Sequence, residues 1–516
     1  MMEPSISMRR HERRIQILLF VLLFIAYIFV LPRWAEWSQN SRLNLTFAIV
    51  DEGQLSIDTY YKNSGDYALF NGRHYTDKAP GPSFFAVPVY AAVRPILRMP
   101  IVQSAIERVS HSPAFANTLN QDGSGLMADK IYYFIVLYIS TVIVVCLPAA
   151  VLGVLVYRFV RHMGVRMGWS LAVALIYGLA TPAFTYSAAF FSHQIVAFLL
   201  FGAFTIGHCV SRGGRSNAWL LLAGFMLGLS LISEYPTALI VFGVGLYILR
   251  HLWQTAQLKW ALPFMAAAAP PLLLLAAYNF SIFGTPLPVG YAYSENYTAI
   301  HSQGLISLTY PHIDALWGIT FGSFRGLFYV SPVLLLAVAG FWGWWRMGKL
   351  RAEWAVCVWA TVSFFLFNGS SVMWEGGFSV GPRYLVPMLP FFASALGAFA
   401  LCWGQRLWAR VVTTVLVAWS FVAVWSLTLA GQNYPDWTPE PLVNYALPRL
   451  LQGDLARNLG MIVNLKGWLS FAPLAVVLGV LLFVLAHLAR QVDFIEKQPA
   501  NDEQPNWINT HEPAEA

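Results

Sequence analysis

Acids and a lysine crowd one short stretch of this chain at spacings suited to group transfer. Asp51-Glu52 is followed by Asp58, by Gly65-Asp66 and by Asp77-Lys78-Ala79-Pro80-Gly81. A carboxylate can take the proton from an attacking hydroxyl or amine, and a cation can hold a phosphate as negative charge develops on it. Asp51, Glu52 and Asp58 are the candidate bases, and Lys78 is the candidate phosphate-binding cation. Asp58 stands seven positions after Asp51, on the same face of a helix of about 3.6 residues per turn. A plainer role competes: carboxylates at a helix N-terminus satisfy free N–H groups and complement the dipole by roughly 0.3 to 1 kcal/mol.

Short elements must position these groups. Leu55, Ile57, Tyr60 and Tyr61 have a helix-like apolar spacing, which predicts a surface helix with Asp51 and Glu52 at its start. Asn71-Gly72 predicts a hairpin-like bend before Lys78, and Phe84 to Val93 a second amphipathic helix returning to the membrane surface.

The frame around them is apolar. Of 516 residues 57% are hydrophobic and 11% charged, against about 25% charged in a soluble domain. Apolar runs long enough for a hydrocarbon core of about 30 Å recur along nearly the whole chain. About twelve spans are expected, near residues 15–31, 131–157, 169–186, 191–210, 218–232, 235–251, 261–280, 327–345, 354–367, 385–403, 411–429 and 469–488. The fold class is therefore an all-α integral membrane protein, with a multi-span domain over residues 1–489 and a polar, disordered tail over 490–516. Arg9, Arg10, Arg13 and Arg14 place the N-terminus inside, and the later basic loops agree with both ends being cytoplasmic. The first long loop, residues 32–130, then lies on the outer face. The net charge of +7 is spread over these flanking loops rather than gathered on a nucleic-acid face. Cys146, Cys209, Cys357 and Cys402 fall in or near spans, without disulfide or metal spacing.

Other polar groups collect at outer ends. Arg383 closes a loop containing Gly376, Gly377 and Gly381, and suits bidentate phosphate binding, or else snorkelling beside a tight turn. His193 and Glu234-Tyr235 begin or join spans, where ionisable groups are costly and often functional. Tyr293, in the aromatic loop after residue 283, lines an acceptor groove or packs locally.

Asp51-Glu52, Gly65-Asp66 and Lys78-Ala79-Pro80, in this order after a first span, resemble the GT-C superfamily of glycosyltransferases. The resemblance is to the branch containing protein O-mannosyltransferases and the aminoarabinose transferase of lipid A, and it covers roughly residues 15–100. Lys78-Ala79-Pro80 departs from the Lys-Pro-Pro of many relatives. The resemblance implies a GT-C-like helical bundle and an inverting transfer of sugar from a polyprenyl phosphate to a lipid, polysaccharide or protein on the outer face of the cytoplasmic membrane. It ranks Asp51 first as base. No organic cofactor is implied, and a divalent ion held by Asp51 or Glu52 with the donor phosphate stays open. The alternative is a transporter or lipid flippase, whose mark would be charges or broken helices at mid-membrane in two matching halves. Such residues are scarce here.

Overall fold

The computed structural model describes residues 6–33, 36–110, 127–287, 289–304, 307–432, 434 and 438–495. Every apolar run singled out in the sequence falls on helix. The chain is a multi-span membrane protein, but fewer of these helices than expected can cross a bilayer unaided. Among the described residues eight are long and apolar enough: Lys130–His162, Ser192–Ser211, Tyr235–Gln254, Leu258–Phe283, Arg351–Gly369, Arg383–Trp403, Leu407–Leu429 and Gly467–Asp493. The remaining expected spans fall short of that measure for physical reasons. Met167–Leu179 and Trp219–Ser233 have 13 and 15 residues, or about 20 Å of rise, short of a core of about 30 Å. The Leu335–Met347 helix follows a break at Ser331-Pro332. Helix α1, Ile6–Phe29, carries its arginines well into the helix. The last helix runs to Ile495, past the expected start of the tail, and residues 496–516 lie outside the described ones.

The segment expected to be one long outer loop is largely ordered. It contains helix α2, Trp37–Phe47, with ten of its eleven residues buried although Ser38, Gln39, Asn40, Ser41, Arg42, Asn44 and Thr46 are polar. Helices α3, Gly81–Leu97, and α4, Pro100–Ser110, follow, with an angle of 91° between them. The amphipathic helix expected over Phe84–Val93 is thus part of α3. Strands β1, Tyr67–Phe70, and β2, Arg73–Thr76, pair antiparallel with Tyr67 opposite Thr76, turned at Asn71-Gly72. This hairpin is the one sheet among the described residues of an otherwise all-α chain.

The predicted helix starting at Asp51-Glu52 does not form. α2 instead widens into a π-helical turn, Ala48–Glu52, which the left-handed Gly53 ends. The acids therefore stand at a helix C-terminus, where the dipole disfavours them. Between Gly53 and β1 only the three-residue turn Tyr61–Asn63 is helical, so Asp51 and Asp58 do not share a helix face.

Candidate functional site

The hairpin sets the geometry. Because Tyr67 pairs with Thr76, the residues just outside the ladder, Asp66 and Asp77-Lys78, emerge side by side. The Lys78 ammonium lies 3.0 Å from Asp66 and 3.3 Å from Asp77, and is mostly buried. Ser294 donates to Asp77 at 3.0 Å, and the rings of Tyr291 and Tyr297 lie 5.8 and 5.9 Å from the ammonium. Burial alone would discharge Lys78, but its two carboxylates together outweigh that and hold its pKa above the usual lysine range. One ammonium cannot neutralise two carboxylates. Burial, with Asp66 adding repulsion, raises the pKa of Asp77 despite Lys78. Burial and the same carboxylate push the Tyr297 phenol up to about 12.

α3 begins directly after this cluster. A Cβ on Gly81 would stand 2.8 Å from the Ser233 Cα, so only glycine lets α3 lie against the Trp219–Ser233 helix. That approach brings the Lys78 cluster towards Glu234 and Tyr235, whose ring meets Tyr291 edge-on at 6.1 Å. Glu234 accepts from Ser192 and lies 4.0 Å from the His193 imidazole.

Two arginines face this region without a carboxylate partner among the described residues. Arg42, on α2, donates to the Ser38 carbonyl at 2.8 Å and to Ser192 at 3.3 Å. Arg383 reaches the Tyr384 hydroxyl at 3.4 Å. Both guanidinium groups lie against one ring, Phe191, at 6.0 and 5.6 Å, and the Nε of each is buried without a hydrogen-bond partner. The His193 Nδ1 is likewise unpartnered. The glycine loop holds Arg383: a Cβ on Gly376 would stand 3.0 Å from its Cγ. The loop itself hangs on the fully buried Arg325, which donates to the carbonyls of Glu375 at 3.1 Å and Gly377 at 2.8 Å.

Glu36 completes the set. It caps α2 by accepting from the Gln39 amide at 2.6 Å and is buried. Burial first, and then Asp66, raises its pKa against the pull of Arg383.

The other candidate residues lie elsewhere. Asp51 is clamped by Arg94 at 2.6 Å, Arg98 at 2.8 Å and the Tyr90 hydroxyl at 2.7 Å. Glu52 accepts from Gln54. Asp58 takes hydrogen bonds from Ser56 and from the His74 amide at 2.7 Å; these and the nearby imidazole outweigh partial burial and lower its pKa. Tyr293 stacks on Phe283 at 5.3 Å, beside the site but turned into an aromatic cluster with Phe70. The structure thus brings together Lys78, Arg383, His193, Glu234 and Tyr235, and separates from them Asp51, Glu52, Asp58 and Tyr293. The sequence placed Asp77 in the acidic cluster and Tyr291 in the aromatic loop without giving either a specific role; Glu36, Arg42, Ser192, Tyr297 and Arg325 were missed as functional candidates. Arg42 alone gave a signal, a charge within an otherwise uncharged polar run.

No family model matches the chain, and no curated protein does. Among solved structures the chain is similar to ArnT from Cupriavidus metallidurans in the apo state, with a TM-score of 0.46 and 14% identity over 92% of this chain and 73% of that one. The structure of the same protein bound to undecaprenyl phosphate gives 0.44 and 16%, over 93% and 77%.

Proposed function

We propose that the chain is a membrane glycosyltransferase that moves a sugar from a polyprenyl phosphate to a lipid, polysaccharide or protein acceptor, with inversion, on the outer face of the cytoplasmic membrane. The observation that carries this is the pair Arg42 and Arg383: two guanidinium groups against one phenyl ring, neither ion-paired with a carboxylate among the described residues. Such a pair repels unless an anion joins it, and the planar forks suit a phosphate. Lys78, already paired, adds field rather than a free donor. The motif order from Asp51 to Pro80 supplies the GT-C reading. In the reaction the acceptor oxygen or nitrogen bonds to the sugar's anomeric carbon while the bond from that carbon to the phosphate oxygen breaks. The phosphate leaves with the electron pair, and a carboxylate takes the acceptor's proton.

The motif order makes Asp51 the base in this reading; held by Arg94 and Arg98 apart from the arginine pair, it must leave them and approach the anomeric carbon to take the proton. A specific observation favours a second assignment: Glu36 is buried near the field of Arg383 and has no ion-pair partner among the described residues. We further take α1 and the helices Met167–Leu179, Trp219–Ser233 and Leu335–Met347 to complete twelve crossings, with both ends cytoplasmic.

The test measures free polyprenyl phosphate by mass spectrometry when purified protein meets a panel of polyprenyl-phosphate sugars and a membrane extract. Wild type releases it and Arg42→Gln/Arg383→Gln does not. Loss in Asp51→Asn with retention in Glu36→Gln assigns Asp51, and the reverse assigns Glu36. No release from wild type on any donor removes the transferase reading.

A further inference from the structure

A groove of about 920 Å³ opens between the helices Met167–Leu179, Leu407–Leu429 and Ala472–Ile495, at the upper end of the size of ligand pockets. Its floor follows the Met167–Leu179 helix for its whole length, from Gly168 to Leu179. Thirteen residues rise about 20 Å, more than the depth of one leaflet in a core of about 30 Å. The lining along it is largely apolar: Leu175 and Ile176 on the floor, and Val417, Phe421, Val422 and Leu482 on the walls.

One end is different, and it is the end remote from Lys78 and Arg383. Arg166 and Arg410 line it, with Gln405 and Asp493. The Gly404 carbonyl accepts from both the Trp169 indole at 3.2 Å and the Arg410 Nε at 3.0 Å, which fixes an interfacial tryptophan beside a guanidinium. The Arg410 Nη2 reaches Gln405 at 3.1 Å. Among the described residues neither arginine is paired with a carboxylate. Asp493 is committed elsewhere: its two oxygens accept from the amides of Met167 at 3.0 Å and Gly168 at 3.2 Å, capping that helix.

An apolar trough facing lipid does not stand empty, because acyl chains fill it; the basic mouth decides which lipid stays. We propose that the groove is the seat of an anionic phospholipid whose phosphodiester lies between Arg166 and Arg410. The two cations and one carboxylate leave a single net positive charge at the mouth, which matches one phosphodiester and no further cationic headgroup. This inference is independent of the proposed transfer reaction, since no residue of the groove belongs to the carboxylate and arginine site.

Native mass spectrometry on the purified full-length chain tests it, with phosphatidylglycerol and phosphatidylcholine of identical acyl chains as probes. Wild type retains phosphatidylglycerol at least tenfold more tightly, and Arg166→Gln/Arg410→Gln brings the ratio to about one. Ala418→Trp, which fills the groove from the lipid-facing side with both arginines in place, lowers phosphatidylglycerol retention while the chain stays monodisperse. A ratio near one in wild type, or retention that survives either variant, overturns the proposal. So does displacement of phosphatidylglycerol by undecaprenyl phosphate at equal concentration, which would assign the groove to a polyprenyl chain instead.

Discussion

Lys78 shows how a buried charge is held only by its company. Removing one partner of a buried ion pair costs about 3–5 kcal/mol because the other is left uncompensated. Lys78→Met therefore lowers the melting temperature strongly, and adding Asp77→Asn restores part of the loss by removing one stranded carboxylate. The pH dependence has a definite sign. Burial raises the pKa of Asp77 in the folded chain above the value of about 3.9 expected when unfolded. A carboxyl group shifted this way binds its proton more tightly when folded. Its contribution to stability is thus present below the unfolded value and is lost as pH rises through the folded one. Melting curves of Asp77→Asn should lack that decline, so the variant gains on wild type as pH rises from about 4. Equal slopes for the two proteins would remove this assignment.

Loops, short helices and the outermost residues of spans aim the functional groups. The Gly376-Gly377 turn offers a clean comparison, since both residues have positive φ, 72° and 60°. Alanine at either position costs about 1–2 kcal/mol in backbone strain. Only at Gly376 does the new Cβ also meet the Arg383 side chain; at Gly377 it meets nothing within 4 Å. Gly376→Ala should raise KM for the lipid donor several-fold more than Gly377→Ala at similar melting temperatures, and equal KM values would mean that Arg383 does not contact the donor. Much of this level was legible in the sequence: the Asn71-Gly72 bend, the helix over Phe84–Val93 and the glycine loop before Arg383 all follow from local turn and periodicity rules. α2 was not, because its polar residues show no apolar period. They are buried by partners far along the chain, such as Ser41 with Thr76 at 2.7 Å and Gln39 with the Phe190 amide at 2.7 Å. Asp51 was misplaced on a helix start for a related reason. The arginines that claim it, Arg94 and Arg98, stand on α3 and declare nothing locally.

At the scale of the molecule, hydropathy located the helices but not which of them are long enough to cross alone, since buried short helices are as apolar as spans. The proposed topology puts the turn at Gly213 inside and the hairpin at Gly72 outside. Single cysteines at these glycines, in a chain whose native cysteines are replaced, should react with an impermeant maleimide on intact cells at position 72 only. Labelling at both positions, or at 213 alone, would discard the twelve-crossing arrangement. The separation in sequence of the site's members also bears on how the protein is made. Glu36, Asp66 and Lys78 leave the ribosome long before Arg325 and before Arg383, whose positive charge acts on the buried Glu36 carboxyl. Until those later elements are made, the carboxylates of the early segment lack the groups that bury them in the finished structure. A chain cut short before Arg383 is therefore a natural target for membrane quality-control proteases, whereas one ending after Trp403 already holds every member of the site.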